Sequence, residues 1–289
     1  MPPRDQPLWR RVLNVPLVRL ALLGPVFFLL IGISNGFRIQ FEARPELALA
    51  SSIAMVLLGL LIYVVFVRLV EQRPVQELST PGMGRELAAG LAIGAALCVL
   101  TVSILMLLGV YRVEGINALS VTLPALSMAL SSAVLEELMW RGGLFRIVED
   151  WLGSWIALAV SALVFGLSHY APVDGALWGS FAITMEAGVL LAAAYLVTRR
   201  LWICMGLHFA WNFAQSGLFS GIVSGAFNQP GLIKPVVEGP ALLTGGAFGL
   251  EASVLAVLAC TLAGAIMLVA ARRRGHIRSR GLQHSQPTG

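Results

Sequence analysis

The sequence predicts an all-α fold: a polytopic membrane helix bundle of about eight transmembrane helices, with both termini on the cytoplasmic side. Three observations carry that expectation. Hydrophobic residues make up 57% of the 289 and charged residues only 12%, about half the charged share of a soluble domain. Mean hydropathy is +0.83, so most of the surface suits lipid better than water. Apolar runs near the ~20 residues needed to cross a hydrocarbon core recur along the chain.

In order, the runs fall at about 14–34, 47–70, 87–110, 118–140, 154–171, 176–198, 201–223 and 247–271. The first follows a basic lead but is too long for a signal peptide, and no small-residue cleavage site follows it. It reads as a first helix that stays attached. Connectors such as "EQRPVQELSTPGMGRE" and "FNQPGLIKPVVEGP" separate the runs. The chain thus divides into a cytoplasmic N-terminus (1–12), three N-terminal helices (13–115) and a four-helix core (116–224). An external loop (225–246), an eighth helix (247–271) and a basic cytoplasmic tail without regular structure (272–289) complete it.

The arginines set the orientation. Arg10 and Arg11, Arg68 and Arg73, Arg141 and Arg146, Arg199 and Arg200, and Arg272 to Arg274 fall at alternate ends of the runs. One alternation satisfies the positive-inside bias throughout. The net charge of +5 is therefore a topology signal, and a nucleic-acid partner is not expected. Cys98, Cys204 and Cys260 lie in apolar runs without a CxxC pair, as small hydrophobes do. Gly32/Gly36 and Gly90/Gly94 have the four-residue spacing that lets membrane helices approach closely.

Ionisable residues inside such runs are costly and mark function. Away from the run ends they are Glu136 and Glu137, His169, Glu186 and His208, with Asn212 as a neutral companion. His208 and Asn212 are four apart and share a helix face, as do Phe165 and His169, and Glu137 and Arg141. Adjacent Glu136 and Glu137 point about 100° apart, so one can face a cavity while the other pairs with Arg141 near the water boundary.

Carboxylates, imidazoles and a carboxamide form a hydrolytic set. A glutamate can take a proton from water, and Asn and His can stabilise an oxyanion. Alternatively Glu136, His169 and His208 can hold zinc with an open position for water. The chain has no HExxH, no GxSxG elbow at a strand-to-helix turn (its one GxSxG, "GISNG" at 32–36, lies inside an apolar run) and no pair of intramembrane aspartates, which disfavours those other hydrolytic routes. Cys204, four residues before His208, could form a thiol–imidazole pair, but the glutamates would then have no role.

The clusters "EELMWR" at 136–141, "FGLSH" at 165–169 and "HFAWN" at 208–212 resemble the EExxxR, FxxxH and HxxxN pattern of the CPBP intramembrane proteases. That family comprises the type II CAAX prenyl proteases and the bacteriocin-processing, abortive-infection-like proteins, here in its bacterial branch. The likeness covers roughly residues 120–215. It implies a multi-pass protein of the bacterial cell membrane that hydrolyses a peptide bond of a membrane-associated protein or peptide. The resemblance makes Glu136 the base, assisted by His169, with His208 and Asn212 binding the oxyanion and Glu137 with Arg141 in support. Phe165 and Glu186 are expected to contact substrate, and zinc stays open as a cofactor. For Glu136 to reach the level of His169, the fourth helix must continue through "GGLFRIVED" to about residue 148. A proton-coupled transporter and a non-catalytic scaffold or immunity protein are the competing expectations.

Overall fold

The computed structural model describes residues 7–279. It is helical throughout its apolar runs. A short α1 (Leu8–Leu13) leads into α2 (Pro16–Gln40) and α3 (Pro45–Phe66), which runs on as a π-helical turn to Glu71. Both long helices begin with Pro at the first turn, where the missing N–H costs nothing. Next come α4 (Met83–Leu107), the strand β1 (Tyr111–Ile116) and α5 (Leu123–Glu137). A π-helical stretch Leu138–Phe145 joins α5 without a break to α6 (Arg146–Leu152). The expected continuation past residue 140 is therefore present.

Gly153, at φ 88°, ends that rod and starts α7 (Ser154–Ser168). Then α8 (Ala176–Ile183), a π-helical Thr184–Val189 and α9 (Leu190–Thr198) form one rod. The next rod, α10 (Trp202–Asn212), passes into a π-helical Phe213–Leu218. Strand β2 (Ile233–Val237), α11 (Ala241–Thr244) and α12 (Val254–Arg273) complete the chain, with Ser253 capping α12 through the Leu255 amide.

Among the described residues six helical rods are long and apolar enough to cross a membrane: 16–40, 45–71, 83–107, 119–152, 176–198 and 254–273. The other two expected spans are also helices, but shorter. α7 has 15 residues, and α10 is an 11-residue helix enclosed by its neighbours, with His208 and Asn212 buried in it. The loop 225–246 is not merely a connector. Its β2 pairs antiparallel with β1, Tyr111 opposite Val237, as a two-stranded ribbon.

The two ends of the bundle differ in chemistry. Arg10 bonds Gln72, and Arg199 forks onto Glu149 at 2.7 and 2.5 Å. Arg278 reaches Asp150 at 2.9 Å, and Arg274 bonds the Val197 carbonyl at 3.0 Å. The basic run ends thus gather at one end of the bundle, as the alternation requires, and the ribbon lies at the other. The part of the tail expectation that falls on 280–289 lies outside the described residues.

Gly90 and Gly94 work as the spacing suggests. A Cβ on either would lie 2.3 Å from a backbone carbonyl of α10, Ile203 or Leu207, so only glycine permits that approach. Gly32 and Gly36 face open space instead and bring no described helix close.

Candidate active site

Backbone geometry brings the motifs to one level. Glu136 lies 16 residues before Leu152, the basic end of its rod, and His169 lies 15 residues past Ser154. At about 1.5 Å per residue these are roughly 24 and 22 Å from that end. The two side chains meet there, His169 Nε2 standing 3.5 Å from Glu136 Oε2. That is too long for a full hydrogen bond.

The adjacent glutamates have different surroundings. Glu136 keeps 13% of its side chain accessible and Glu137 none. Glu137 Oε1 accepts from Arg141 Nη1 at 2.9 Å and contacts His208 Nδ1 at 2.9 Å. Arg141 also donates to the carbonyls of Ala187 and Gly188 at 3.0 and 3.3 Å. The Glu137–Arg141 pair is therefore deep in the protein, not at a water boundary as its place near a run end suggested. Because the helix continues to Leu152, what looked like an end is a middle.

His169 is oriented from behind, its Nδ1 lying 2.8 Å from the Phe165 carbonyl. A ring nitrogen facing a carbonyl must carry the proton, which leaves Nε2 toward Glu136. The Phe165 ring lies 4.5 Å from the His169 ring and 6.4 Å from that of His208, with the Arg141 guanidinium 4.6 Å above it. It is a buried spacer among the charged groups. Asn212 Nδ2 donates to Ser132 Oγ at 3.1 Å.

These residues line one open cavity of about 410 Å³. Glu136, Phe165, His169, Glu186, His208 and Asn212 all border it, while Glu137 and Arg141 lie behind its wall. Several further polar residues border the cavity that the sequence reading passed over, among them Ser132, Arg38 and Glu251. Ser132 is four residues before Glu136 and shares its face, a usable signal. Arg38 and Glu251 sit near helix ends, where charge is ordinary. Glu251 is buried and accepts from the amide and hydroxyl of Ser224 at 2.6 and 3.0 Å. It lies outside the spans. Burial raises its carboxyl, and the Ser224 bonds only partly offset that.

The zinc set does not assemble. Among the described residues no three His, Cys, Asp or Glu side chains are grouped to hold a metal ion. The reason is local: Glu136 meets only one imidazole, that of His169, while His208 is turned to Glu137.

Fold and site together define a multi-pass helical membrane protein with a polar, glutamate-bearing cavity among its helices. Residues 118–214 match the family model described as "Rce1-like: Type II CAAX prenyl endopeptidase Rce1-like". That segment, about a third of the chain, holds all three motifs. No curated protein and no solved structure shows significant similarity to it.

Proposed function

We propose that this protein is an intramembrane endopeptidase that cleaves a membrane-associated protein or peptide by a glutamate-based hydrolysis. The observation that carries the reading is the division of labour between the paired glutamates. Glu136 faces the cavity beside His169, while Glu137 is closed off between Arg141 and His208.

With its Nδ1 proton on the Phe165 carbonyl, neutral His169 offers a lone pair at Nε2, and ionised Glu136 offers another 3.5 Å away. A water molecule can donate to both acceptors. Glu136 takes one of its protons as the water oxygen adds to the scissile carbonyl carbon. Asn212 Nδ2–H donates to the oxyanion, joined by the Nε2–H of His208 when that ring is the imidazolium paired with Glu137. As the C–N bond breaks, the proton held by Glu136 passes to the leaving nitrogen. Glu137 and Arg141 hold His208 in place and make no contact with substrate.

In this reading the basic end faces the cytoplasm of a bacterial cell, and Phe165 and Glu186 shape the substrate cavity. Zinc has no role in it. Comparative membrane proteomics of wild-type and Glu136→Gln cells tests it: uncleaved membrane peptides should accumulate in the variant. Purified protein that cleaves a substrate equally well as wild type and as Glu136→Gln excludes the mechanism.

The presence of Glu186 and Glu251 on the same cavity favours one second reading, a proton-coupled transporter. A relay depends on titratable groups alone. An Asn212→Ala variant with full cellular function and no detectable proteolysis selects transport.

A further inference from the structure

Most of the buried and half-buried arginines among the described residues are ion-paired, but the one that borders the cavity is not. Arg73, Arg141, Arg146, Arg199 and Arg200 each have a carboxylate oxygen within ion-pair distance. Arg38, half-buried in the last turn of α2, has none among the described residues. Its Nη2 donates to Asn35 Oδ1 at 2.6 Å and its guanidinium lies over the Phe227 ring at 5.6 Å. Its Nε is buried without a partner. A desolvated guanidinium presents a donor fork suited to a carboxylate, and a buried donor left unmade carries a full desolvation cost.

Its position gives the vacancy a meaning. Arg38 borders the cavity that holds Glu136, His169 and Asn212, and also an adjoining pocket of about 370 Å³ bounded by Phe41, Pro45, Pro124 and Gln229. It stands where a chain entering from the ribbon end would pass toward Glu136. Glu42, on the same adjoining pocket, accepts from Gln229 at 3.0 Å, and Glu136 acts on Arg38 only by its charge, from beyond ion-pair distance. Asn35 fixes one arm of the guanidinium and Phe227 covers one face, which keeps the remaining donors aimed without neutralising them.

We propose that Arg38 is the specificity residue of this site and binds a carboxylate of the peptide substrate, so that cleavage falls at a fixed distance from that group. The inference rests on the peptidase reading, and it names the feature of the peptide that the cavity selects. The carboxylate can be the free C-terminus or an Asp or Glu side chain, since both present the same two oxygens. Arg38 touches the bound peptide and takes no part in bond breaking.

The test separates binding from cleavage. Full-length protein carrying Glu136→Gln, solubilised in detergent, is titrated with a fluorescent apolar peptide library in three matched forms: free C-terminus, C-terminal carboxamide, and carboxamide with an internal Glu. The same titration is made with Arg38→Gln and Arg38→Lys added. One charged hydrogen-bond pair predicts a preference of roughly ten- to a hundredfold for the forms carrying a carboxylate. Arg38→Gln should collapse that ratio toward one, and Arg38→Lys should keep part of it by charge alone. Preference for the free C-terminus over internal Glu, or the reverse, identifies the source. A ratio near one with Arg38 intact, or a preference that survives Arg38→Gln, overturns the proposal. Because this readout needs no catalysis, a protein that binds selectively but never cleaves refutes the peptidase reading and leaves the carboxylate site standing.

Discussion

Replacing Glu137 by Gln and replacing Glu136 by Gln should have opposite signatures, although the two residues are neighbours. Glu137→Gln removes the charge that faces Arg141 Nη1 and His208 Nδ1, each at 2.9 Å, with neither glutamate nor arginine exposed. Breaking a buried pair by removing one partner costs ~3–5 kcal/mol, because the remaining charge stays buried. The Ala187 and Gly188 carbonyls still hold Arg141 Nη2, which places the cost near the lower figure, about 3 kcal/mol. At roughly 2–4 °C per kcal/mol, the melting temperature falls by about 6–12 °C. Glu136 has no hydrogen bond at its buried Oε2 and only the 3.5 Å contact to His169, so Glu136→Gln should shift melting by no more than about 2 °C. It should instead lower cleavage by about 10²–10⁴, the worth of a general base. Thermal melting of detergent-purified variants, followed by tryptophan fluorescence, reads the first effect. Adding Arg141→Met to Glu137→Gln should recover part of the loss. A Glu137→Gln protein that melts like wild type, while Glu136→Gln melts well below it, refutes the assignment of roles.

Three other substitutions test separate parts of the account. Asn212→Ala should lower cleavage by about 10²–10³ if its amide faces the oxyanion, with Ser132→Ala weaker because it only positions Asn212; peptide turnover under saturating substrate measures both. Gly94→Leu should abolish the monodisperse protein peak on size-exclusion chromatography, since even a Cβ there meets the Leu207 carbonyl at 2.3 Å, whereas Gly36→Leu should leave it intact. Glu77, in the connector between α3 and α4, should make melting pH-dependent. Burial alone would raise its carboxyl, but Arg73, Arg146 and Tyr63 outweigh that and hold it below its ordinary value. A lowered folded value means the stabilisation is present above the unfolded carboxylate range and is lost as pH falls through the folded one. Melting from pH 7 to 4 should therefore fall less steeply for Glu77→Gln than for wild type.

Much of the architecture was legible because hydropathy reports lipid exposure directly. Each of the eight expected runs is a helix, and the arginines assigned to one side gather at one end, except Arg141, which lies in the middle of its rod. What failed to show was decided by contacts, which spacing does not encode. Hydropathy alone stops the fourth run near residue 140; the continuation that the level of His169 called for runs to Leu152, where Arg141, Arg146 and Glu149 are buried in partnerships with Glu137, Glu71 and Arg199. The ribbon of β1 and β2 depends on pairing across more than a hundred residues. The site was legible where its members share a helix face, as His208 does with Asn212. It was illegible where charge near a helix end looked ordinary, as at Arg38 and Glu251.

The backbone around the site adds something that a period of 3.6 conceals. Three rods change from α- to π-helical pitch beside a cavity residue: Leu138–Phe145 just after Glu136 and Glu137, Thr184–Val189 around Glu186, and Phe213–Leu218 just after Asn212. A π-turn widens the helix and frees carbonyls from the regular ladder, and such turns recur at functional sites. Here the consequence is concrete. The carbonyls of Ala187 and Gly188, inside one π segment, accept from Arg141, inside another. Two irregular stretches thus satisfy each other at the point where a buried guanidinium needs acceptors beyond a single carboxylate. The doubled glutamate is tolerable in lipid for that reason: the inner carboxylate is fixed by a cation that the backbone itself helps to hold. The outer one, with only a loose contact to His169, is left available for water.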